Sequence, residues 1–283
     1  MKKFIVGASL VVLFIAGLSV LLYPAVSDYI NSQSQSRVIS QFNAELVKLS
    51  ETDYSGIIDK AKAYNESLLN NPDRFMPTDA DLKEYHSILD FSGTGVIGTV
   101  EIPEIKVKLP IYLGTDDSVL QVGIGHLAGS SLPIGGPGTH SVLCGHRGLP
   151  SSTLLTNADQ LKLGDTFTLK ILNETLTYQV DNIVIVLPED MSALAIDPSK
   201  DYCTLSTCTP YGINDHRLLI RGIRIFPDDT QSPKLSSIFA DASRAGTMTG
   251  YLISAAPVIL VSLIYTLVRN ITSKKRKEVM TGL

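Results

Sequence analysis

Residues 202–226, YCTLSTCTPYGINDHRLLIRGIRIF, contain two runs of β-forming residues on either side of a turn. The runs Tyr202–Thr207 and Arg217–Phe226 have a two-residue period, which is typical of strands in a sheet. Between them, Tyr211–Asp215 supplies glycine, asparagine and aspartate, which favour a tight turn. The stretch therefore predicts an antiparallel strand pair, with Cys208 at the point where the first strand ends.

Further runs of the same period lie between Gly95 and Leu187. They are Val96–Ile102, Ile105–Leu113, Ser141–Cys144, Thr166–Leu172 and Leu176–Leu187. Short helical pieces are predicted at Asp117–Gln121 and Thr153–Gln160, and the glycine-rich stretch Gly123–Gly138 is predicted to be an irregular connection. Because many short strands at this spacing are typical of barrels, the sequence predicts a mainly β fold with a closed or nearly closed barrel.

The N-terminal apolar run, Phe4–Tyr23, has 20 residues and no charged side chain, and Lys2 and Lys3 precede it. At about 1.5 Å rise per residue it spans a hydrocarbon layer of about 30 Å. A cleaved signal peptide is the alternative, but the run is longer than the usual apolar region of such a peptide and no clear cleavage site follows it. We therefore expect an uncleaved membrane anchor.

A second uncharged, mostly apolar run covers residues 248–268, and Arg269 and the basic cluster Lys274–Lys277 follow it. This order is typical of a stop-transfer segment. Because positively charged flanks resist translocation, both termini are predicted to be cytoplasmic. The chain between the two transmembrane helices is predicted to lie outside the cell.

A helical extension is predicted between the first span and the barrel. Apolar residues recur there at three- and four-residue spacing in two runs, with a break near Thr52. Pro72 and Pro77 end the helical pattern, and a loop is predicted from there to about Phe91.

The formal net charge is -4, and the basic residues concentrate at the two tails, so the middle of the chain is distinctly acidic. This charge distribution argues against a nucleic-acid partner. Because three cysteines is an odd number, at least one thiol is unpaired even in an oxidising compartment. Cys144 and Cys203 are interpreted as small buried hydrophobic residues, which leaves Cys208 as the functional thiol.

Cys208 is a candidate nucleophile because strand parity places it on the face opposite to Cys203 and Thr207. In an antiparallel pair Arg217 lies roughly opposite the strand end that carries Cys208, where its donors can meet an oxygen that becomes negative. A surface arginine paired with Asp215 is the alternative. Thr207 is a candidate substrate contact, although a β-forming residue at the end of a strand explains it equally well.

His146 is the candidate proton donor among the five histidines, because flanking glycines allow the backbone to bend and aim the imidazole. His86 and His216 lie in polar segments and are predicted to be solvated. A zinc site built from His140, Cys144 and His146 is an alternative, but no fourth ligand at a recognisable spacing completes it.

These motifs together resemble the signatures of the sortase family. They are Thr-Leu-Ser-Thr-Cys-Thr-Pro at residues 204–210, Arg217 nine positions after the cysteine, and Cys-Gly-His-Arg-Gly at residues 144–148. The two predicted anchors, the helical extension and the run after Cys208 resemble class C, the pilin polymerases of Gram-positive bacteria. The resemblance implies a sortase-type closed β-barrel of about eight strands with short helices.

The resemblance also implies an activity, in which Cys208 attacks the Thr–Gly carbonyl of an LPXTG-like sorting signal on a pilin. His146 then protonates the leaving amine, Arg217 steadies the oxyanion, and a lysine amine of the next pilin resolves the thioester. No metal and no organic cofactor are implied. Two alternatives remain open: a housekeeping-type sortase that attaches proteins to the peptidoglycan precursor, and a non-catalytic pilus assembly subunit.

Six segments are predicted along the chain. They are a cytoplasmic stub and N-terminal transmembrane helix (1–26), a helical extension with a possible lid (27–94), a catalytic barrel (95–227), a linker (228–247), a C-terminal transmembrane helix (248–268) and a basic cytoplasmic tail (269–283). Class C enzymes usually carry a lid with an Asp-Pro-aromatic tripeptide. Here Pro72 and Pro77 follow Asn71 and Met76, so we expect a loosely held or absent lid around residues 70–91.

Overall fold

The computed structural model describes residues 2–226 of the chain. Within this part, three helices come first: α1 (Lys2–Leu46), α2 (Glu51–Leu68) and α3 (Asp79–Leu89). The strands that follow are β1 (Val96–Ile102), β2 (Val107–Leu113), β3 (Ile124–His126), β4 (Thr139–Cys144), β5 (Thr166–Ile171), β6 (Glu174–Val186), β7 (Asp201–Thr209) and β8 (His216–Ile225). Helix α4 (Asp117–Leu120) and 3₁₀ turns at Pro103–Ile105, Ala158–Gln160 and Ser192–Leu194 lie in the connections.

The strands form a closed barrel in the order β1-β2-β3-β4-β7-β8-β6-β5. The β2–β3 and β4–β7 pairs are parallel, and the other neighbouring pairs are antiparallel. This arrangement confirms the predicted mainly β fold with a closed barrel of about eight strands. One end of the barrel carries the ends of β4, β6 and β7 and the starts of β3 and β8, and is called the cleft end below.

The connection between β2 and β4 differs from the prediction, because β3 lies inside the stretch predicted to be irregular. With three residues, β3 is too short to show a two-residue period in the sequence. It forms because it pairs with β2 on one side and with β4 on the other. Gly125 within β3 fits only as glycine, since a Cβ there would overlap the carbonyl oxygen of Gly114. The helical piece predicted at Thr153–Gln160 is reduced to a 3₁₀ turn at its end.

Aromatic packing fills the barrel interior. Phe167 of β5 and Tyr178 of β6 are fully buried and stack with their ring centroids 5.6 Å apart. A Cβ on Gly222 of β8 would approach the Phe167 ring at 2.7 Å, so no larger residue fits there without rearrangement. This tight packing fixes the strands, and with them the residues that the strand ends carry.

Helix α1 is one continuous helix of 45 residues. Among the residues that the structure describes, it is the one helix long and apolar enough to cross a membrane, which agrees with the predicted N-terminal anchor. The predicted linker, second transmembrane helix and basic tail (228–283) lie outside the described residues.

The extension between the first span and the barrel is helical, as predicted. The break predicted near Thr52 lies at residues 47–50, where Ser50 caps α2.

The loop predicted up to Phe91 is wrong, because α3 occupies most of it. The Thr78 hydroxyl accepts a hydrogen bond from the Asp81 backbone N–H at 3.3 Å, and the Asp81 carboxylate accepts one from the Thr78 backbone N–H at 2.8 Å. This reciprocal cap satisfies backbone donors that a helix start otherwise leaves free. Tyr85 and Leu89 are buried against the barrel, so tertiary packing stabilises a helix whose sequence pattern is short.

Candidate active site

Cys208 of β7 and Arg217 of β8 are direct partners in the antiparallel ladder. The Cys208 side chain is partly exposed, and both residues line the same cleft. Arg217 Nη1 donates to the backbone carbonyl oxygens of Asn214 and His216, at 3.3 and 3.2 Å. The β7–β8 ladder therefore holds a guanidinium beside the thiol.

The charge of Arg217 is not neutralised by any carboxylate within the described residues. Asp215, the alternative partner, instead contacts His216, with 2.8 Å between Oδ1 and Nδ1. Guanidinium donors bind charged oxygens strongly when no other anion occupies them. Arg217 is therefore available to an oxyanion that forms in the cleft.

His146 follows β4, which pairs in parallel with β7 so that Cys144 lies opposite Ser206. The pairing continues past the strand, because Gly145 N donates to the Ser206 carbonyl oxygen at 3.0 Å. His146 lies two residues after Cys144, and Cys208 lies two residues after Ser206, the partner of Cys144. Both His146 and Cys208 line the cleft that Arg217 also lines. The parallel register thus places His146 on the side of β7 opposite to Arg217, in the lining of the same cleft.

Thr207 is buried, and its hydroxyl donates to the Gly145 carbonyl oxygen at 2.7 Å. Gly145 is packed so closely that a Cβ would approach Ile124 and Leu155 at 2.6 and 2.9 Å. Thr207 therefore fixes the backbone directly before His146, a contact that the sequence did not indicate. Its role as a substrate contact stays a prediction.

The cleft that contains the three groups has a volume of about 360 Å³ and opens at the cleft end of the barrel. Most of its remaining lining is apolar. Among the lining side chains are Leu127, Val142, Val186, Leu187, Leu194 and Leu219. A cleft with apolar walls and a few convergent polar groups suits a peptide whose side chains bind the walls while one carbonyl approaches the thiol. Such an arrangement can perform acyl transfer through a thioester.

All three cysteines lie in the described part of the chain and are unpaired. Cys203 is fully buried in the core, as predicted, and burial raises the pKa of its thiol well above the ordinary value. Cys144 differs from the prediction because it lines the cleft. Burial nevertheless raises the pKa of the Cys144 thiol to about 12, against a smaller lowering effect of its hydrogen bond with Ser206. Both thiols are therefore protonated, and poor nucleophiles, at neutral pH.

Arg147 is a residue of this region to which the sequence assigned no role. Its side chain is only 8% exposed, and its Nη2 lies 2.6 Å from Asp159 Oδ2. Its Nε donates to the Thr156 carbonyl oxygen and its Nη1 to Thr209 Oγ1, both at 3.2 Å. The side chain of Arg147, the residue after His146, therefore attaches this part of the chain to β7 and to the following loop. The position of Arg147 inside the Cys-Gly-His-Arg-Gly motif is the sequence signal that could have indicated this structural role.

His126 and His140 are buried and have structural roles. The two ring nitrogens of His140 lie 2.8 Å from the Ala195 carbonyl oxygen and 2.7 Å from Thr204 Oγ1. Burial lowers the pKa of both histidines to about 4. Because His140 has no ring nitrogen left, it does not join His146 in the zinc site considered above. Within the part of the chain that the structure describes, no three potential ligands form a metal-binding group.

The segment Asn71–Pro77 is held firmly on the barrel. Arg74 donates from Nη1 to the Gly129 carbonyl oxygen at 2.8 Å and from Nη2 to the Leu194 carbonyl oxygen at 2.7 Å. Phe75 packs on the apolar cluster that includes Leu194. The expectation of a loosely held segment is therefore wrong here, because arginine and phenylalanine provide attachments without the usual tripeptide. The alternative, that a lid over the active site is absent, stays a prediction. No residue of the segment is part of the cleft lining.

Comparisons with known proteins agree with this geometry. A profile of the family described as "Sortase domain" matches residues 100–225. Among solved structures, sortase C1 (SrtC1) from Streptococcus agalactiae is 50% identical, with a TM-score of 0.66, and the match covers 68% of this chain and 100% of that chain. Sortase C1 of GBS pilus island 1 is 38% identical, with a TM-score of 0.63, covering 72% of this chain and 98% of that chain.

Among curated proteins, sortase D of Bacillus subtilis (strain 168) is 33% identical over 131 residues. The match covers 45% of this chain and 63% of that protein, so the chain spans a little under two thirds of the relative's length. The two solved structures, by contrast, are covered over nearly their whole length.

Proposed function

The chain belongs to the sortase family of cysteine transpeptidases, and on that premise we propose that it is a membrane-anchored class C sortase that polymerises pilins. The similar solved structures are sortases C1, and one of them is assigned to a pilus island. The proposed substrate is a pilin with an LPXTG-like sorting signal. The proposed acceptor is a lysine amine of another pilin subunit.

The observation that carries the proposal is the convergence of Cys208, His146 and Arg217 on one cleft. Two strand pairs support it: Arg217 is the β8 partner of Cys208, and His146 follows β4, the parallel neighbour of β7. A nucleophile, a proton donor and an oxyanion ligand are the groups that acyl transfer requires. A non-catalytic pilus subunit has no need for all three in one place.

In the proposed first half-reaction, the Cys208 thiolate attacks the carbonyl carbon of the Thr–Gly peptide bond. The N–H groups of Arg217 stabilise the negative oxygen that forms in the tetrahedral intermediate. When the intermediate collapses, the C–N bond breaks and His146 gives its proton to the leaving glycine amine. The product is a thioester between Cys208 and the threonine of the sorting signal.

In the proposed second half-reaction, a lysine ε-amine attacks the thioester carbonyl. His146 accepts a proton from the attacking amine, which restores the imidazolium for the next cycle. The C–S bond breaks, Cys208 leaves as a thiolate, and an isopeptide bond joins the two subunits. Protons and charges balance within the two steps.

The walls of the cleft support a sorting signal with an apolar start. Leu127, Val142 and Leu194 are among the apolar residues of the cleft wall, and such a wall can bury the leucine and proline side chains of the signal. Helix α1 supports the proposed membrane anchorage. With the predicted second span, this anchorage puts both termini in the cytoplasm and the barrel on the extracellular face.

The experiment is a polymerisation assay with the full chain in phospholipid nanodiscs. A pilin with the sorting signal is incubated with the enzyme, and products are separated on a denaturing gel under reducing conditions. We expect a ladder that resists reduction, its loss with Cys208→Ala, and its persistence with the matched control Cys203→Ala. A ladder that persists with Cys208→Ala would support a non-catalytic subunit.

The acceptor is tested in the same assay. Replacing the lysines of the pilin by arginine should stop polymerisation while cleavage of the sorting signal continues. A peptidoglycan-precursor amine is offered in parallel as a competing acceptor. Attachment to that amine with no pilin ladder would identify a housekeeping-type sortase instead.

A further inference from the structure

Helix α1 is attached to the barrel at its cleft end. The Thr153 backbone N–H donates to Asp28 Oδ1 at 2.6 Å, and Asn31 Nδ2 donates to the Ser151 carbonyl oxygen at 2.7 Å. Thr153 and Ser151 belong to the loop that follows His146. The segment of α1 next to the predicted membrane span therefore lies beside the loop of the catalytic histidine.

The direction of α1 shows which end of the barrel faces the membrane. Further along the helix, Phe42 packs against Phe91 with ring centroids 5.3 Å apart. Phe91 precedes β1, whose start lies at the end opposite to the cleft. The helix thus leaves the membrane span, passes the cleft end first and reaches the far end last, so the cleft end is nearer to the span.

The distance between the span and the cleft end is short. Asp28 is five residues after Tyr23, the last residue of the uncharged run, which corresponds to about 8 Å along a helix. The polar headgroup region adds roughly 5 to 8 Å on each side of the hydrocarbon layer. The level of Asp28 is therefore the level at which headgroups meet water.

Exposed apolar side chains concentrate at this end of the barrel. They are Val122, Ile185, Leu187, Tyr211 and Ile213. Two of them, Tyr211 and Ile213, lie in the turn between β7 and β8 and are 61% and 69% exposed. Tyrosine is enriched at the interfaces of bilayers because its ring is amphipathic, and Ile213, two residues along the turn, adds an aliphatic side chain.

The turn is rigid and close to the loop that contacts α1. The carbonyl oxygen of Pro210 accepts from Ile213 N at 3.1 Å and from Asn214 N at 3.0 Å. The Tyr211 ring lies over Gly148, where an added Cβ would approach it at 2.9 Å. Because the turn is ordered before any contact with lipid, it loses little conformational entropy when it binds.

We infer that the turn Pro210–Asn214 inserts into the headgroup interface of the bilayer that α1 spans, with Tyr211 and Ile213 as the inserting side chains. The inference rests on the proposed membrane anchorage by α1. Its consequence is that the barrel contacts the bilayer directly at the strand connection between Cys208 and Arg217. The cleft is then held at a fixed height above the lipid.

The test uses tryptophan fluorescence, because the chain contains no tryptophan of its own. Ile213→Trp, Val47→Trp and Val20→Trp are placed in the full chain, one at a time, in nanodiscs with and without brominated phosphatidylcholine. Val47 is 86% exposed and directly follows the last residue of α1, about 28 Å beyond Asp28, which makes it the matched control outside the interface. Val20, 77% exposed, reports on the span itself.

We expect bromine to quench Val20→Trp strongly, Ile213→Trp to an intermediate degree with a blue-shifted emission, and Val47→Trp not at all. Equal emission of Ile213→Trp and Val47→Trp, with Val20→Trp quenched, would overturn the inference and leave the anchorage intact. An unquenched Val20→Trp would overturn the anchorage and the inference with it. Tyr211→Trp repeats the measurement at a second position of the turn.

Discussion

Arg147 Nη2 and Asp159 Oδ2 lie 2.6 Å apart, and neither residue lines the cleft that contains Cys208. The pair can therefore influence the site through the backbone that joins Arg147 to His146 and through the hydrogen bond from Arg147 to Thr209, the residue after Cys208. The backbone at His146 is thus supported on both sides, because Thr207 donates to the Gly145 carbonyl oxygen and the Arg147 side chain donates to the Thr156 carbonyl oxygen. Rigid support of this kind is what a proton donor needs to keep its geometry during two half-reactions.

Replacing Arg147 by alanine is expected to lower kcat by about 100-fold with little change in KM, because a displacement of His146 by about 1 Å is enough for such a loss. Arg147→Lys keeps a positive charge near Asp159 but loses the forked donors, so an intermediate kcat is expected. Steady-state cleavage of a sorting-signal peptide measures both constants. A lower thermal midpoint with unchanged kcat would show that Arg147 only supports the fold.

Replacing Arg217 by lysine is expected to lower kcat by about 100- to 1,000-fold, because an ammonium does not reproduce the donors that meet the oxyanion. Arg221→Lys on the same strand is the matched control, since Arg221 binds Asp181 through two hydrogen bonds of 3.0 and 2.8 Å. That control should keep kcat. Steady-state cleavage of the sorting-signal peptide measures kcat of both variants. Equal losses of kcat in Arg217→Lys and Arg221→Lys would contradict the proposed role of Arg217.

Iodoacetamide at pH 7.5 is expected to label Cys208 and to leave Cys144 and Cys203 unmodified. Desolvation raises the pKa of the Cys144 thiol to about 12, although this residue lines the cleft, and raises the pKa of the fully buried Cys203 thiol well above its ordinary value. Mass spectrometry of a proteolytic digest locates the label. Cys144→Ala should keep the peptide cleavage rate, and faster labelling of Cys144 than of Cys208 would refute the assignment of the nucleophile.

Mild acid is expected to destabilise the fold through His126 and His140. Burial lowers their pKa from 6.5 to about 4, so the unfolded chain binds protons first as the pH falls. The stabilisation is complete above pH 6.5 and is lost between pH 6.5 and about 4. From pH 7.5 to pH 5, each histidine should remove about 2 kcal/mol from the free energy of unfolding.

Urea unfolding of the full chain in detergent, followed by tyrosine fluorescence, measures this pH dependence. His140→Gln keeps hydrogen-bonding groups but does not titrate, so the pH dependence of that variant should be smaller by the contribution of one histidine. Identical pH dependence in the variant and the unaltered protein would rule out His140 as a source.

Replacing Arg74 by alanine is expected to release the segment Asn71–Pro77. Two hydrogen bonds from a charged donor contribute about 1.5 kcal/mol or more each, so local opening should increase by at least about a hundredfold. Chymotrypsin cleavage after Phe75 reports the opening. The matched control is Asp73→Ala, which leaves the Arg74 contacts in place, and equal cleavage of the two variants would contradict the attachment.

The β7–β8 pair could be predicted from the sequence because its information is local. A two-residue period and a turn fix the register within 25 residues, and the observed partners Cys208 and Arg217 follow from it. The bounds of β1, Val96–Ile102, match the prediction for the same reason. Local pattern, however, did not show which strands become neighbours in the barrel.

Features that depend on distant contacts were missed. Strand β3 consists of three residues that pair on both sides, and α3 is stabilised by burial of Tyr85 rather than by a long periodic pattern. The ion pair of Arg147 with Asp159 joins residues of a loop whose conformation no periodicity encodes. Only the motif around His146 indicated that this loop belongs to the site.

The two ladders that assemble the site differ greatly in the length of chain that each must close. Arg217 is nine residues from Cys208, whereas His146 is 62 residues away. Closing the longer loop costs more entropy and depends on the whole barrel, so the hairpin is expected to form first and the β4–β7 pairing later. Under the proposed function, a newly made chain would then carry the Cys208 thiol without its proposed proton donor, and acquire reactivity only when folding is complete.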